Sequence, residues 1–178
     1  MQKVIITGAS GIIGHRLVNR LTGDAGILTN AVCHKKSGGW SDKGHLNIIQ
    51  RDLSCPDSWE GLIEHDCVVV NLVYFWNLPA SENILAARRL IDACRRQGVK
   101  KLIHCSSATV VGSVKDDIVT EETPCQPSTE YEKTKWQIEQ TLLETDYVMP
   151  EVIILRPTAV FGSGGKNLVK LVNELRCC

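Results

Sequence analysis

Short runs of consecutive apolar residues alternate along this chain with longer stretches in which apolar positions recur at helical spacing. "KVIITG", "NAVCHK", "LNIIQRDL", "DCVVVNLV", "KKLIHCSS" and "EVIILRP" read as strands. "GIIGHRLVNRL", "SENILAARRLIDACRRQG" and a segment within "PSTEYEKTKWQIEQTLLE" read as helices. Runs that are apolar on both faces suit strands covered by helices on both sides, as in a parallel sheet. The alternation therefore predicts repeated strand-helix-strand units and an α/β fold: an open, doubly wound parallel sheet of about six strands. No internal repeat or low-complexity linker interrupts the pattern. In the helix around 81 to 97, Ile84, Leu85, Leu90, Ile91 and Cys94 make an expected packing stripe. Arg88, Arg89, Arg95 and Arg96 face away from it, and Gly98 supplies the stop.

Composition narrows the class. A chain of 178 residues that is 43% hydrophobic can bury a core and suits one domain over residues 1–178. Twenty basic residues balance twenty acidic ones, so the broad positive footprint of a nucleic-acid binder is not expected. No apolar run approaches the roughly 20 residues of a membrane span, and "MQKVIITG" enters a strand without a signal-peptide pattern. These features predict a soluble cytoplasmic protein with no membrane partner. Eight cysteines, at 33, 55, 67, 94, 105, 125, 177 and 178, include no Cys-x-x-Cys pair. Reduced thiols are expected, with Cys33, Cys67 and Cys105 acting as small hydrophobes in their strands, and no metal site is expected.

Chemistry enters at "TGASGIIG", which follows the first strand directly and opens a helix. Gly8 permits a tight turn, Gly11 lets the backbone approach a pyrophosphate, and Gly14 lets the helix pack closely on the sheet. The helix N-terminus then offers unpaired N–H groups and the positive end of its dipole to phosphates. The Gly-x-x-Gly-x-x-Gly spacing, with the preceding threonine, resembles the cofactor turn of the extended short-chain dehydrogenases/reductases, the NAD-dependent epimerase/dehydratase family. The resemblance implies a Rossmann-like fold with Thr7, Gly8, Gly11, Ile12, Ile13 and Gly14 at the cofactor.

The acidic residue that normally holds the ribose 2′-hydroxyl at the end of the second strand is absent from "NAVCHKKSGG". His34, Lys35 and Lys36 stand there instead and favour the extra phosphate of NADP over NAD. Asp42, reaching in from the loop, is the alternative, and a merely solvated loop would leave cofactor choice open. By the resemblance, Asp52 and Leu53 of "QRDLS" contact adenine. Asn71 and Val73 belong to "NLVYFW", which stands where the family has His/Asn-x-Ala-Ala.

Ligands of open α/β sheets bind beyond the carboxyl ends of the strands, so "KKLIHCSS" delivers Ser106 and Ser107 to the crevice. Tyr131 and Lys135, four apart on one helix face, follow about two dozen residues later. "SSATVVG" resembles the family's SSxxVYG and "YEKTK" its YxxxK. The catalytic serine is then Ser107, with Thr109 as a substitute, and Val111 replaces a second tyrosine. A free tyrosine, with a pKa of about 10, is a poor base, but a nearby ammonium and an oxidised nicotinamide favour its phenolate. Lys135 is thus expected to activate Tyr131 for proton transfer, and the family's lysine also binds the nicotinamide ribose. "RPTAVFGSGG" resembles the family's RPxxVYGPG, placing Arg156 and Pro157 beside the nicotinamide.

The resemblance covers almost the whole chain, but extended members place a mostly C-terminal substrate lobe over the crevice. With the last residues reading "LVKLVNELRCC", that lobe is expected to be missing or truncated: either the sequence is a fragment of a longer enzyme, or it is a reduced protein whose partner or oligomer closes the site. Three readings follow. One is an enzyme on a nucleotide sugar or similar hydroxy/keto substrate. The second is a cofactor-binding sensor without turnover. The third is an interaction domain whose Tyr131 helix pairs across a homodimer, as in the family.

Overall fold

The computed structural model describes residues 1–35, 39–42, 44–114, 118–144 and 150–162. Six strands form one sheet: β1 (Gln2–Thr7), β2 (Ile27–Cys33), β3 (Leu46–Gln50), β4 (Val68–Asn71), β5 (Lys101–Cys105) and β6 (Glu151–Leu155). All neighbours pair in parallel, in the order β3-β2-β1-β4-β5-β6. Helices α1 (Ile12–Leu21), α2 (Ala80–Gln97) and α3 (Glu130–Leu143) cover it. Single 3-10 turns lie at Pro56–Trp59 and Ala108–Val111. The expected doubly wound sheet is therefore present. Each apolar run holds its strand, although β2 starts at Ile27, ahead of "NAVCHK".

The chain builds outward from β1 through β2 to β3, then returns to place β4 on the other side of β1. Connections leave β1 and β4 in opposite directions at this point, which opens a crevice above the strand ends. The pleat sends alternate residues to opposite cores. Ile5, Val69 and Leu102 join Leu90, Ile91, Ile138 and Leu142 of α2 and α3 in one core. Val4, Ile6 and Val70 join Val18 of α1 in the other. Leu90, Leu102 and Leu142 are fully buried, and burial of each such side chain contributes about 1.5–3 kcal/mol.

Helix α2 modifies its expected stripe. Leu90, Ile91 and Cys94 are buried, but Leu85 is 38% exposed, while Asn83, Ala86 and Ala87 are buried. The helix is packed between the core and α3, and close approach selects small side chains there. Arg88 and Arg96 are exposed, whereas Arg89 and Arg95 are half-buried. Arg89 reaches the Ser54 carbonyl at 3.5 Å and Arg95 pairs with Asp92 at 3.6 Å. Gly98 ends α2 with φ 64° and ψ 45°, its N–H donating to the Arg95 carbonyl. That left-handed conformation is the one glycine adopts without cost.

Cys33, Cys55, Cys67, Cys94, Cys105 and Cys125 are free thiols; Cys33 and Cys67 are buried and Cys105 half-buried. Cys177 and Cys178, with the rest of "LVKLVNELRCC", lie outside the described residues. Among the described residues no helix is long and apolar enough to cross a membrane. No group of three or more His, Cys, Asp or Glu side chains among them could hold a metal ion.

Candidate active site

A crevice of about 1100 Å³ runs over the carboxyl ends of the strands. Its floor is the glycine turn. Gly8, at φ 66°, swings the chain off β1, and a Cβ on it would meet the Leu72 backbone at 3.2 Å. At Gly14 a Cβ would come within 2.4 Å of the Gly8 carbonyl oxygen, so a bare backbone is required where α1 crosses the turn. Helix α1 starts at Gly11 with no side-chain cap and no acidic residue in its first turn. Ile12 and Ile13, the first helical residues, line the crevice, and no side chain caps their N–H groups. This positive, uncapped cradle fits a pyrophosphate.

Thr7 and Asn71 lie beneath the floor and do not line the crevice. Both are buried, and the Thr7 hydroxyl donates to Asn71 Oδ1 at 2.7 Å. Asn71 Nδ2 sits 3.0 Å from His104 Nδ1. Adjacent strands β1, β4 and β5 are thereby laced together just below the site. Burial pushes the His104 pKa down to about 3, with the Lys135 charge adding to the effect. The imidazole is neutral, so Nδ1 accepts from the Asn71 amide.

At the end of the crevice beside β2 and β3, Val32, His34, Asp52 and Leu53 form the lining. His34 Nε2 is 3.4 Å from Asp52 Oδ2. Hydrogen bonds from the Ser54 side chain and backbone hold the Asp52 carboxyl below its ordinary pKa. Lys35 is exposed and outside the lining, and Lys36 lies outside the described residues. Asp42 does not enter the crevice; its carboxylate accepts from the Ile48 N–H at 2.6 Å. Arg51, which sequence reasoning missed, also lines this end, where it donates to the Ser58 and Glu60 carbonyls.

At the other end the structure brings Ser107, Thr109, Tyr131, Lys135 and Pro157 together. Ser107 follows β5 and caps the short turn at Ala108–Val111, its Oγ 2.9 Å from Thr109 Oγ1. Tyr131 and Lys135 come from α3, whose start is set by a capping box between Thr129 and Glu132. The Ser107 hydroxyl lies near enough to Tyr131 to favour its ionised form, yet burial outweighs that influence and raises the phenol above its ordinary pKa. The buried Lys135 ammonium is not directed at the phenol as expected. It donates to the Cys105 carbonyl at 2.9 Å and lies 5.0 Å over the Tyr74 ring. Burial lowers its pKa. Helical spacing places both side chains on one face, but the nearest acceptor for a buried ammonium is the strand-end carbonyl.

Arg156 also departs from expectation. It points away from the crevice and forms a two-pronged pair with fully buried Glu139, at 2.7 Å from Nη2 to Oε2. Its guanidinium lies 5.6 Å over the Trp136 ring. Arg156 thus clamps the end of β6 to α3, while Pro157 alone of that pair reaches the crevice. Val111, at the family's second tyrosine position, is buried. Sequence reasoning also passed over Tyr74 and Trp76, which pack against Tyr131 after the end of β4. Their signal was the bulky "VYFW" where small residues are usual.

Sheet order, glycine turn and strand-end crevice define a doubly wound, Rossmann-like domain of the nucleotide-binding type. The chain belongs to the NAD dependent epimerase/dehydratase family, whose model matches residues 4–175. It is similar to the N-acetyl-alpha-D-glucosaminyl-diphospho-ditrans,octacis-undecaprenol 4-epimerase of Escherichia coli O157:H7, with 28% identity over 97% of this chain and 53% of that protein. It is 30% identical to the decarboxylating sterol-4-alpha-carboxylate 3-dehydrogenase of Saccharomyces cerevisiae, over 95% of this chain and 54% of the relative. Among solved structures, MoeE5 in complex with UDP-glucuronic acid and NAD superposes with a TM-score of 0.77 at 27% identity. That match covers 98% of this chain and 60% of MoeE5. The chain thus spans about half the length of the curated relatives it matches.

Proposed function

We propose that this chain is the cofactor-binding part of an NAD(P)-dependent epimerase, dehydratase or reductase acting on a nucleotide sugar or similar hydroxy/keto substrate. The observation that carries the reading is that the uncapped glycine turn and the Ser107, Tyr131 and Lys135 side chains share one crevice. A bound nicotinamide would supply the hydride acceptor or donor. The backbone N–H groups of Ile12 and Ile13 hold the pyrophosphate, and Asp52 and Leu53 border the adenine. His34 and Lys35 favour NADP, while Asp52, paired with His34, keeps NAD in contention. Val73 and Pro157 pack at the nicotinamide end.

Ser107 orients the substrate oxygen, and Tyr131 takes the substrate's hydroxyl proton in oxidation or returns it in reduction. Lys135 anchors the nicotinamide ribose and adds positive charge near the phenol. The protein works in the cytoplasm, and α3 pairs across a homodimer. A second reading, a cofactor sensor without turnover, draws on the resting positions of Lys135 and Tyr131, which do not favour a phenolate.

Titration of the 178-residue chain with NADPH and NADH, followed by nicotinamide fluorescence and thermal stability, tests the first step. Saturable binding, tighter for NADPH, is expected; no binding by a folded chain would favour an interaction domain. With UDP-glucose and UDP-glucuronic acid as probes, Tyr131→Phe should abolish turnover and spare cofactor binding. Full activity in that variant removes the catalytic assignment, and cofactor binding without any turnover favours the sensor.

A further inference from the structure

The segment that leaves β4 carries three aromatic residues whose side chains part company. Phe75 packs against the core, and its backbone is held on both sides by the buried Asn83 amide of α2. The Phe75 N–H donates to Asn83 Oδ1 at 2.9 Å, and Asn83 Nδ2 donates to the Phe75 carbonyl at 3.1 Å. The same Nδ2 lies 3.2 Å from the Pro79 carbonyl. This latch fixes the backbone from which Tyr74 and Trp76 turn toward α3. Trp76 stacks on Tyr131 with ring centroids 5.1 Å apart and planes 10° from parallel. Tyr74 meets Tyr131 edge-on at 5.1 Å and 76°, and meets Trp76 edge-on at 4.8 Å. Trp76 is nevertheless 74% exposed, so no hydrophobic core holds it there.

We infer that Tyr74 and Trp76 are positioning residues for Tyr131: they cage its ring on one face and one edge, fix its hydroxyl on the Ser107 side of the crevice and keep water off the phenol. The catalytic consequence rests on the reading of Tyr131 as the proton carrier, but the caging itself belongs to the chain without cofactor. Removal of water disfavours the charged phenolate, so the cage sets the pH at which Tyr131 ionises. The other groups facing the phenol are Ser107, whose nearby hydroxyl assists ionisation, and Tyr74 and Cys105, whose own ionisation opposes it. Lys135, on the same helix, is directed at the Cys105 carbonyl and the Tyr74 face. Removing the Trp76 ring leaves all of these in place and changes mainly the access of water.

The chain has three tyrosines, at 74, 131 and 147. Subtracting the tyrosinate absorbance titration of each Tyr131→Phe counterpart therefore isolates Tyr131. In Trp76→Ala the Tyr131 midpoint should move to lower pH, and in Trp76→Phe, which keeps a ring at the position, it should stay near that of the parent. An unchanged midpoint in Trp76→Ala overturns the inference. So does proton NMR in which the Tyr131 ring signals of parent and Trp76→Ala coincide, since a stacked indole must shift them upfield. Trp76 contributes little to the core, so the variant should fold. If Trp76→Ala lowers the midpoint while Tyr131→Phe retains full turnover, the cage stands and the catalytic reading falls. If Tyr131→Phe is inactive and the midpoint does not move, the cage alone falls. In an active holoenzyme, the limb of the pH–rate profile that reports the base should move acidward in Trp76→Ala.

Discussion

Gly14 has no room for a single methyl group: a Cβ there would stand 2.4 Å from the Gly8 oxygen and 2.7 Å from Ala9 Cα. These are backbone atoms, which cannot step aside as the end of a flexible side chain can. Gly14→Ala should cost about 1–3 kcal/mol in denaturant unfolding, the usual range for overpacking. It should also weaken any nicotinamide cofactor by deforming the cradle at Gly8. A variant as stable as the parent would show that α1 can slide on the sheet. The role of Gly14 was legible because the motif is local: seven residues of sequence contain the whole turn. Arg156 was not legible, because its partner Glu139 is 17 positions away and meets it only when β6 and α3 are packed.

Helix α3 joins local and distant determinants in one element. Its start is local: Thr129 Oγ1 accepts from the Glu132 N–H, and Glu132 Oε2 accepts from the backbone N–H groups of Ser128 and Thr129. These bonds lower the Glu132 pKa. Loss of the cap in Thr129→Ala should destabilise the protein by about 1 kcal/mol, measured as a lower denaturation midpoint. It should also loosen Tyr131, which lies in the first turn. The burial of α3 is not local. Glu139 would read as a solvated charge, yet it is 0% exposed, and Lys135, expected at the site, is 4% exposed. Only the strand-end carbonyl of Cys105 and the guanidinium of Arg156 make those positions tolerable. Helix α2 carries the same lesson in milder form, since Asn83 is buried while Leu85, which the apolar pattern placed in the packing stripe, is exposed.

Across the whole molecule, the buried chain from Thr7 through Asn71 to His104 couples stability to pH. His104 has its folded pKa lowered to about 3 from an ordinary 6.5. Above the ordinary value both folded and unfolded chains hold it neutral, and it exerts no pH effect. As pH falls below that value the unfolded chain gains a proton that the folded chain refuses, so stability falls between about pH 6.5 and about pH 3. Urea denaturation should show a loss between pH 7.5 and 5 that is smaller in His104→Gln. An equal loss in both proteins would assign the acid sensitivity to other groups.

The order of strands and helices, the place of the glycine turn and the candidate Ser107, Tyr131 and Lys135 set were determined by the sequence alone. Periodicity, turn chemistry and short motifs act over neighbouring residues, and the energies that select them are local. Tertiary structure alone decided where each side chain spends its polar groups. It turned Lys135 to the Cys105 carbonyl, drew Arg156 away from the crevice to Glu139 and stacked Trp76 on Tyr131. The physical reason is burial: a desolvated charge or phenol takes whatever partner the packed chain brings within reach, and that partner is rarely its neighbour in sequence.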